Sequence, residues 1–164
     1  MSGSVTVRRE KLLRLQAALE QMDKFESRVG FFEDSKYGNG TPVAYIATIQ
    51  EFGCAAKNIQ SRSFMRTTQK ERNAAWIAKF KSSVKAVAAG NETVQSAWDI
   101  LGSTAAGDVK KKIQSIRTPP LGKATIRNRL RQSKAGKPIM SSASKPLIHT
   151  GVMWNAVTWQ VVGK

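Results

Sequence analysis

From Gln69 to Arg117 the apolar residues recur every three or four positions, which commits the middle of this chain to two long helices. Trp76, Phe80, Val84 and Val87 or Ala88 form the inward side of the first, expected over about 69–89. Gly90-Asn91 breaks the pattern, and Asn91 or Thr93 is placed to cap the next helix. Val94, Trp98, Leu101, Ala105, Val109, Ile113 and Ile116 then carry the spacing to Arg117. Thr118-Pro119-Pro120 ends it, because a residue before proline is driven out of the α region. Within this helix Gly102 and Gly107 each cost about 1 kcal/mol relative to alanine. With Ser103 and the alanines they leave a smooth surface for another backbone to approach.

The flanks read as shorter elements. Leu12, Leu15, Leu19 and Met22 make a narrow apolar stripe on a helix over 7–23. Ser27–Glu33 is short and β-prone and reads as a strand; Ser35–Gly40 is a turn with two glycines and an asparagine. Thr41-Pro42 resembles an N-cap followed by proline at the first helical position, with Tyr45, Ile46, Ile49 and Phe52 on one face and Gly53 at the end. Residues 57–68 lack a helical period and are expected to run extended. Thr125–Arg131 suits a short basic helix. Asn155–Val162 alternates, with Val157, Trp159 and Val161 to one side, as a half-buried strand that pairs with the 28–33 strand. The expected fold is α+β, a small antiparallel sheet packed against three or four helices. It is a single domain over 1–164, with core at 28–131 and 146–162 and a flexible basic arm at 132–145.

Charge is divided unevenly. After Asp108 there is no acidic residue, while Val109–Lys164 holds twelve Lys or Arg, so +12 of the net +16 lies in the last third. A tract that cannot neutralise itself implies something negative beside it, either a phosphate backbone or an acidic protein surface. The candidate interaction residues are Lys110, Lys111, Lys112, Arg117, Lys123, Arg127, Arg129, Arg131, Lys134, Lys137 and Lys145. Arg127 and Arg131 would share a face on a helix; on a strand all of Arg127, Arg129 and Arg131 would. No aromatic residue falls within 109–149, so the tract lacks the stacking platforms of sequence or single-strand readers, and phosphate or acidic-surface attraction remains.

Catalytic chemistry has little to stand on. His149 and Cys54 are each the single residue of their kind, which leaves no multi-ligand His/Cys metal site within one chain. His149 reads as a loop or cap residue, Cys54 as a small filler, and Glu33-Asp34 as a solvated strand edge. Gly38-Asn39-Gly40 lacks the Lys-Ser/Thr of a phosphate cradle. No catalytic, cofactor or metal residue is assigned, and the chain reads as a non-enzyme. The scattered charges at the N-terminus do not form a secretory signal, no apolar stretch is long enough to span a membrane, and the lone cysteine fits synthesis in a reducing cytoplasm.

Three stretches, in order, carry a family resemblance. They are Thr41–Gly53 with Ser61–Arg66, then Pro119–Arg129, then Lys145–Gly151 leading into the last strand. The positions that match are Glu51, Phe52, Gly53, Arg62 and Phe64; Pro120, Leu121, Thr125 and Arg129; Pro146, Leu147, Thr150 and Gly151. Together they resemble the small neck and tail-completion proteins of long-tailed bacteriophages, including minor tail components and virion-morphogenesis proteins. In that family an A-x-I-x-E-F-G helix precedes a P-x-R-P-F turn, whose prolines are here Gln60 and Ser63. The resemblance implies no catalytic residues and no cofactor. It implies a virion protein made in the host cytoplasm, a subunit of a hexameric ring at the head–tail junction. Its partners would be itself, neighbouring neck, connector and tail proteins, and DNA passing through the channel, with no membrane. A tail terminator or other minor tail protein is the nearest alternative, and a non-sequence-specific nucleic-acid-binding protein is the next.

Overall fold

A computed structural model describes residues 2–136 and 140–164; Lys137, a candidate interaction residue, and Ile139, in the middle of the expected arm, lie outside the described residues. The elements run α1 (Ser2–Met22), β1 (Phe25–Gly30), α2 (Val43–Phe52), a single 3₁₀ turn (Ala55–Lys57), α3 (Met65–Ala88), α4 (Val94–Ser115), α5 (Lys123–Lys134), α6 (Val152–Ala156) and β2 (Thr158–Gly163). The class is α+β as expected, with six α-helices and one two-stranded antiparallel sheet, β1–β2, among the described residues. These residues group into two compact units. One comprises the chain up to Val29 with Arg72–Ala105 and Trp159–Lys164; the other comprises Gly30–Glu71 with Ala106–Thr158.

The first unit is built on the long periodic helices. Met22, Val84 and Ala97 are buried together, with Leu15, Phe80, Val87, Val94 and Trp98 packed around them. The Phe80 and Trp98 rings lie 5.2 Å apart, and the Trp98 indole N–H donates to the Met22 carbonyl at 3.1 Å, which satisfies the one polar group of that ring. On α1 the stripe that faces inward is Leu15, Ala18 and Met22. Leu12 and Leu19, expected there, are exposed. A face centred on a small residue allows closer packing than one centred on leucine, and periodicity alone does not distinguish the two. Thr93 caps α4 as expected, its Oγ1 accepting the Ser96 N–H at 3.1 Å.

Both strands are displaced from their expected positions. β1 begins at Phe25 because the Lys24 carbonyl already accepts the Lys164 N–H at 2.9 Å, so pairing starts directly after α1. Phe31 lies beyond the strand and sets its ring edge-on to buried Phe64, centroids 6.0 Å apart. At the other end, Asn155 and Ala156 belong to α6, and β2 starts only at Thr158, after the fully buried Val157. Trp159 lies across Gly102 and donates its indole N–H to Asp99 at 3.2 Å. The smooth surface expected at Gly102 therefore receives a side chain, while Gly107 faces open space.

The second unit collects Val43, Ala47, Phe64, Val109, Ile113, Met153 and Val157 in its core. α2 packs against α6. α2 buries Val43, Ala47 and Glu51, whereas Tyr45 and Phe52, two of the four residues expected to share one face, are exposed. Pro42 itself occupies the N-cap position, in place of Thr41, with φ −60° and ψ 135°. No side chain caps the helix. The Val43 N–H is instead satisfied by the Ser35 carbonyl at 2.9 Å, across the 35–42 loop. α3 starts at Met65 rather than near 69, and α5 continues through Lys134, so the first three residues of the expected arm are helical. Intrahelical hydrogen bonding extends the basic helix past Arg131, since the Ala135 N–H still reaches the Arg131 carbonyl at 3.0 Å.

The two glycines of α4 should respond oppositely to the same change. A Cβ at Gly102 would lie 2.2 Å from Ser27 Oγ and 2.6 Å from the Trp159 ring, so Gly102→Ala should cost about 1–3 kcal/mol. At Gly107 nothing lies within 4 Å, so Gly107→Ala should be neutral or stabilise by up to about 1 kcal/mol. Urea and thermal denaturation of both variants measure this.

Candidate functional site

Gly53 sets the geometry. It ends α2 with φ +81°, returning its N–H to the Ile49 carbonyl at 2.8 Å. A Cβ here would meet the Ile59 carbonyl oxygen at 2.8 Å and the Ser61 nitrogen at 2.9 Å, so both the conformation and the space call for glycine. Cys54 and Ile59 exchange backbone hydrogen bonds at 2.8 and 2.9 Å around the 3₁₀ turn, with Asn58 left-handed at φ 51°. The chain thereby doubles back along α2. The Arg62 N–H meets the Gln50 carbonyl at 2.7 Å, and Ser61 Oγ donates to the Glu51 carbonyl at 2.7 Å.

That return places the buried Glu51 carboxylate at the start of α3. Its Oε2 accepts the Phe64 and Met65 N–H groups at 2.7 and 2.8 Å. Its Oε1 accepts Ser63 Oγ at 2.6 Å, the Arg66 N–H at 3.1 Å and Arg66 Nε at 3.0 Å. α3 has no acidic residue in its own first turn, and Glu51 supplies the missing charge to the helix N-terminus from another helix. Burial pushes the Glu51 pKa upward, but the hydrogen bonds from Ser63, Met65 and Arg66 outweigh it and hold the carboxyl below its ordinary value. Ser63 helps fasten the turn through its hydrogen bond to Glu51.

Two arginines join this turn to the other motifs. Arg62, 6% exposed, donates Nε to the Pro119 carbonyl at 2.8 Å and Nη2 to the Pro120 carbonyl at 2.9 Å; its Nη1 reaches Gln60 O and Gln50 Oε1 at 3.3 and 3.4 Å. The bond before Pro119 is cis. Arg129, on α5, donates Nη1 to the Lys145 carbonyl at 2.7 Å and the Ala143 carbonyl at 3.5 Å. The first motif is thus tied to the second and the second to the third.

All three contribute to one cleft of about 820 Å³ in the second unit. Arg62 comes from the first motif, Leu121, Thr125 and Arg129 from the second, and Leu147, Thr150 and Gly151 from the third, with Tyr37 and His149 also on its wall. No lining residue is acidic. Burial lowers the guanidinium pKa of both arginines, and the Arg62 charge adds to the effect on Arg129. Burial, then the Arg129 charge, pulls the His149 imidazole below its ordinary pKa, leaving it neutral at neutral pH; its Nε2 is buried without a partner among the described residues. His149 lies in a loop, as expected, and nothing in its local sequence signals that Arg129 lies close. Of the remaining motif positions, Phe64 and Pro146 are buried, and Phe52 is exposed beneath the Arg66 guanidinium, 4.5 Å from its ring centre.

The basic residues do not form one surface. α5 is a helix, which settles the alternative left open by sequence: Arg127 and Arg131 are exposed, while Arg129 turns to the cleft. Lys123 and Lys134 are exposed as well. Lys112 pairs with Glu71 at 2.6 Å, Lys110 lies 5.5 Å from the Trp154 ring, and Lys145 Nζ donates to the Gln114 carbonyl. Arg117 donates back to the carbonyls of Gln114 and Ile116 at 2.6 and 3.2 Å, and Lys111 is exposed on α4.

Glu51→Ala should strip the cap from α3 and cost about 2–4 kcal/mol, with Glu51→Gln losing about half of that. Because the folded-state pKa of Glu51 lies below the unfolded one, the native state binds fewer protons. Its stabilisation is complete above the ordinary value of about 4.5 and is lost as pH falls through the lowered folded value. Denaturation midpoints measured from neutral to acid pH should therefore fall in that window for the natural chain and fall less for Glu51→Gln. No family model, curated protein or solved structure matches the chain.

Proposed function

We propose that this chain is a structural protein of a tailed-phage virion, a ring subunit at the head–tail junction that completes the tail or joins it to the capsid connector. The observation that carries the proposal is the joining of the three ordered motifs. Glu51 caps the helix that follows the Arg62 turn, Arg62 holds the Pro119-Pro120 loop, and Arg129 holds the segment entering Lys145–Gly151. Residues distant in sequence and linked in this way form a mutually dependent set, which accounts for their occurring together and in order. Exposed large apolar side chains, among them Leu12, Leu13, Tyr45, Phe52 and Leu130, suit a subunit whose interfaces are completed by neighbours. No described helix is long and apolar enough to cross a membrane. A tail terminator or another minor tail protein would use the same features in a different ring.

Purified virions, examined by mass spectrometry and by electron microscopy with labelled antibody, should contain the protein at the neck. A nonsense mutation in its gene should leave heads and tails unjoined or tails unfinished. Its absence from particles and assembly intermediates would exclude this function. The exposed basic residues of α5, Lys123, Arg127, Arg131 and Lys134, favour binding to nucleic acid as the second reading. That reading requires DNA affinity whose logarithm falls linearly with log salt, with a slope near 0.9 per phosphate contacted. Failure to retain DNA near physiological salt rules it out.

A further inference from the structure

The cleft of the second unit has a charge arrangement that its own residues leave incomplete. Arg62 and Arg129 both line it, close enough that the Arg62 charge disfavours that of Arg129, yet neither meets a carboxylate within ion-pair distance among the described residues. A cation withdrawn from water is ordinarily paired; here Arg62 is buried and Arg129 half-buried. Arg62 is compensated by four backbone and side-chain oxygens. Arg129 is not: only its Nη1 has partners, and its Nε and Nη2 donors have none among the described residues. Next to it, His149 presents a buried Nε2 that also lacks one. Free Arg129 donors and an unpartnered His149 nitrogen therefore lie together at a cleft whose lining carries no acidic group.

We propose that this cleft is a binding site for an acidic polypeptide segment, with Arg129 receiving an Asp or Glu carboxylate beside His149 and the apolar wall receiving the side chains next to it. A carboxylate accepts two parallel N–H bonds from one guanidinium edge, and Arg129 has such an edge free. Ile46, Ile59, Leu121 and Val152 line the same cleft, offering apolar surface of the kind that flanking peptide side chains bury. The guanidinium edge would bind a phosphate as readily as a carboxylate, and it is the apolar lining that favours a peptide over a nucleic-acid backbone. Phosphates of a duplex are met by long exposed basic side chains, and the cleft contains no lysine. The exposed Arg127 and Arg131 on the opposite side of α5 supply that kind of surface instead. The site stands on the geometry of the cleft and does not depend on the virion role.

The test uses the full chain and the acetylated hexapeptide Gly-Leu-Asp-Glu-Leu-Gly amide, with its Asn-Gln counterpart as the neutral control. NMR titration should give one-site saturation by the acidic peptide, with the His149 imidazole and Arg129 Nε–Hε resonances among those that move. The neutral peptide should bind at least about tenfold more weakly, and Arg129→Gln should weaken the acidic peptide by a similar factor. His149→Ala should weaken it in the same direction, whereas Arg127→Gln, which removes an equal charge from the exposed side of α5, should leave affinity within about twofold. Since Arg129 also holds backbone carbonyls, the resonance shifts in the natural chain and the His149→Ala result decide the matter if Arg129→Gln does not fold. The proposal is overturned by absence of saturation, by equal binding of the neutral peptide, or by equal losses in Arg127→Gln and the cleft variants. Tighter binding of inorganic phosphate or a short oligothymidylate than of the acidic peptide, at equal ionic strength, overturns it as well.

Discussion

Glu51 is the residue on which the order of the second unit depends. A buried carboxylate is unfavourable unless its oxygens are filled, and here the first N–H groups of α3, the Ser63 hydroxyl and the Arg66 side chain fill them. The same contacts satisfy donors at the beginning of α3 that would otherwise lack partners. Each side removes the other's cost, so the end of α2 and the start of α3 hold each other in one orientation. Gly53 makes this possible, because only a residue without Cβ can turn there against the Ile59–Ser61 backbone.

From this fixed turn the order spreads outward through guanidinium groups. Arg62 holds two consecutive proline carbonyls, and Arg129 holds the carbonyls before Pro146. Prolines lack an N–H, and a loop around them is short of backbone partners; the planar donor set of arginine meets several carbonyls at once without needing a regular ladder. A substantial cleft is thus built from irregular segments. The positive charge of the acid-free tract is consequently divided between structural work inside and open surface outside. Arg129 and Lys145 bind backbone carbonyls, and Arg127 and Arg131 face solvent.

The long helices were legible because nothing competes with a three-to-four spacing sustained over more than twenty residues. α3 and α4 appear where Trp76–Val87 and Val94–Ile116 place them, and the Gly90-Asn91 break, the Thr93 cap and the Gly53 terminus are all present. Boundaries and faces were less secure. α3 begins earlier because its cap comes from Glu51, outside the local sequence, and no window around Met65 contains that information. Leu12 belongs to the apolar stripe of α1 and Tyr45 to the apolar set of α2, yet Ala18 and Ala47 take the buried positions; close packing selects for size as well as apolarity. The motif residues could be named from sequence, but Glu51 as a helix cap and His149 as a neighbour of Arg129 could not.

The sequence by itself determined the class of fold, the two long helices and their punctuation, the uneven distribution of charge, and the ordered set of motif residues. These rest on local preferences and on composition, which neighbouring residues report directly. The tertiary structure decided which arginines turn inward, which helix receives the Glu51 carboxylate, and that motifs separated by more than fifty residues line one cleft. The reason is physical. Hydrogen-bond satisfaction of a buried charge is a property of groups brought together in space, and the identity of those groups is not encoded in the spacing around any one of them.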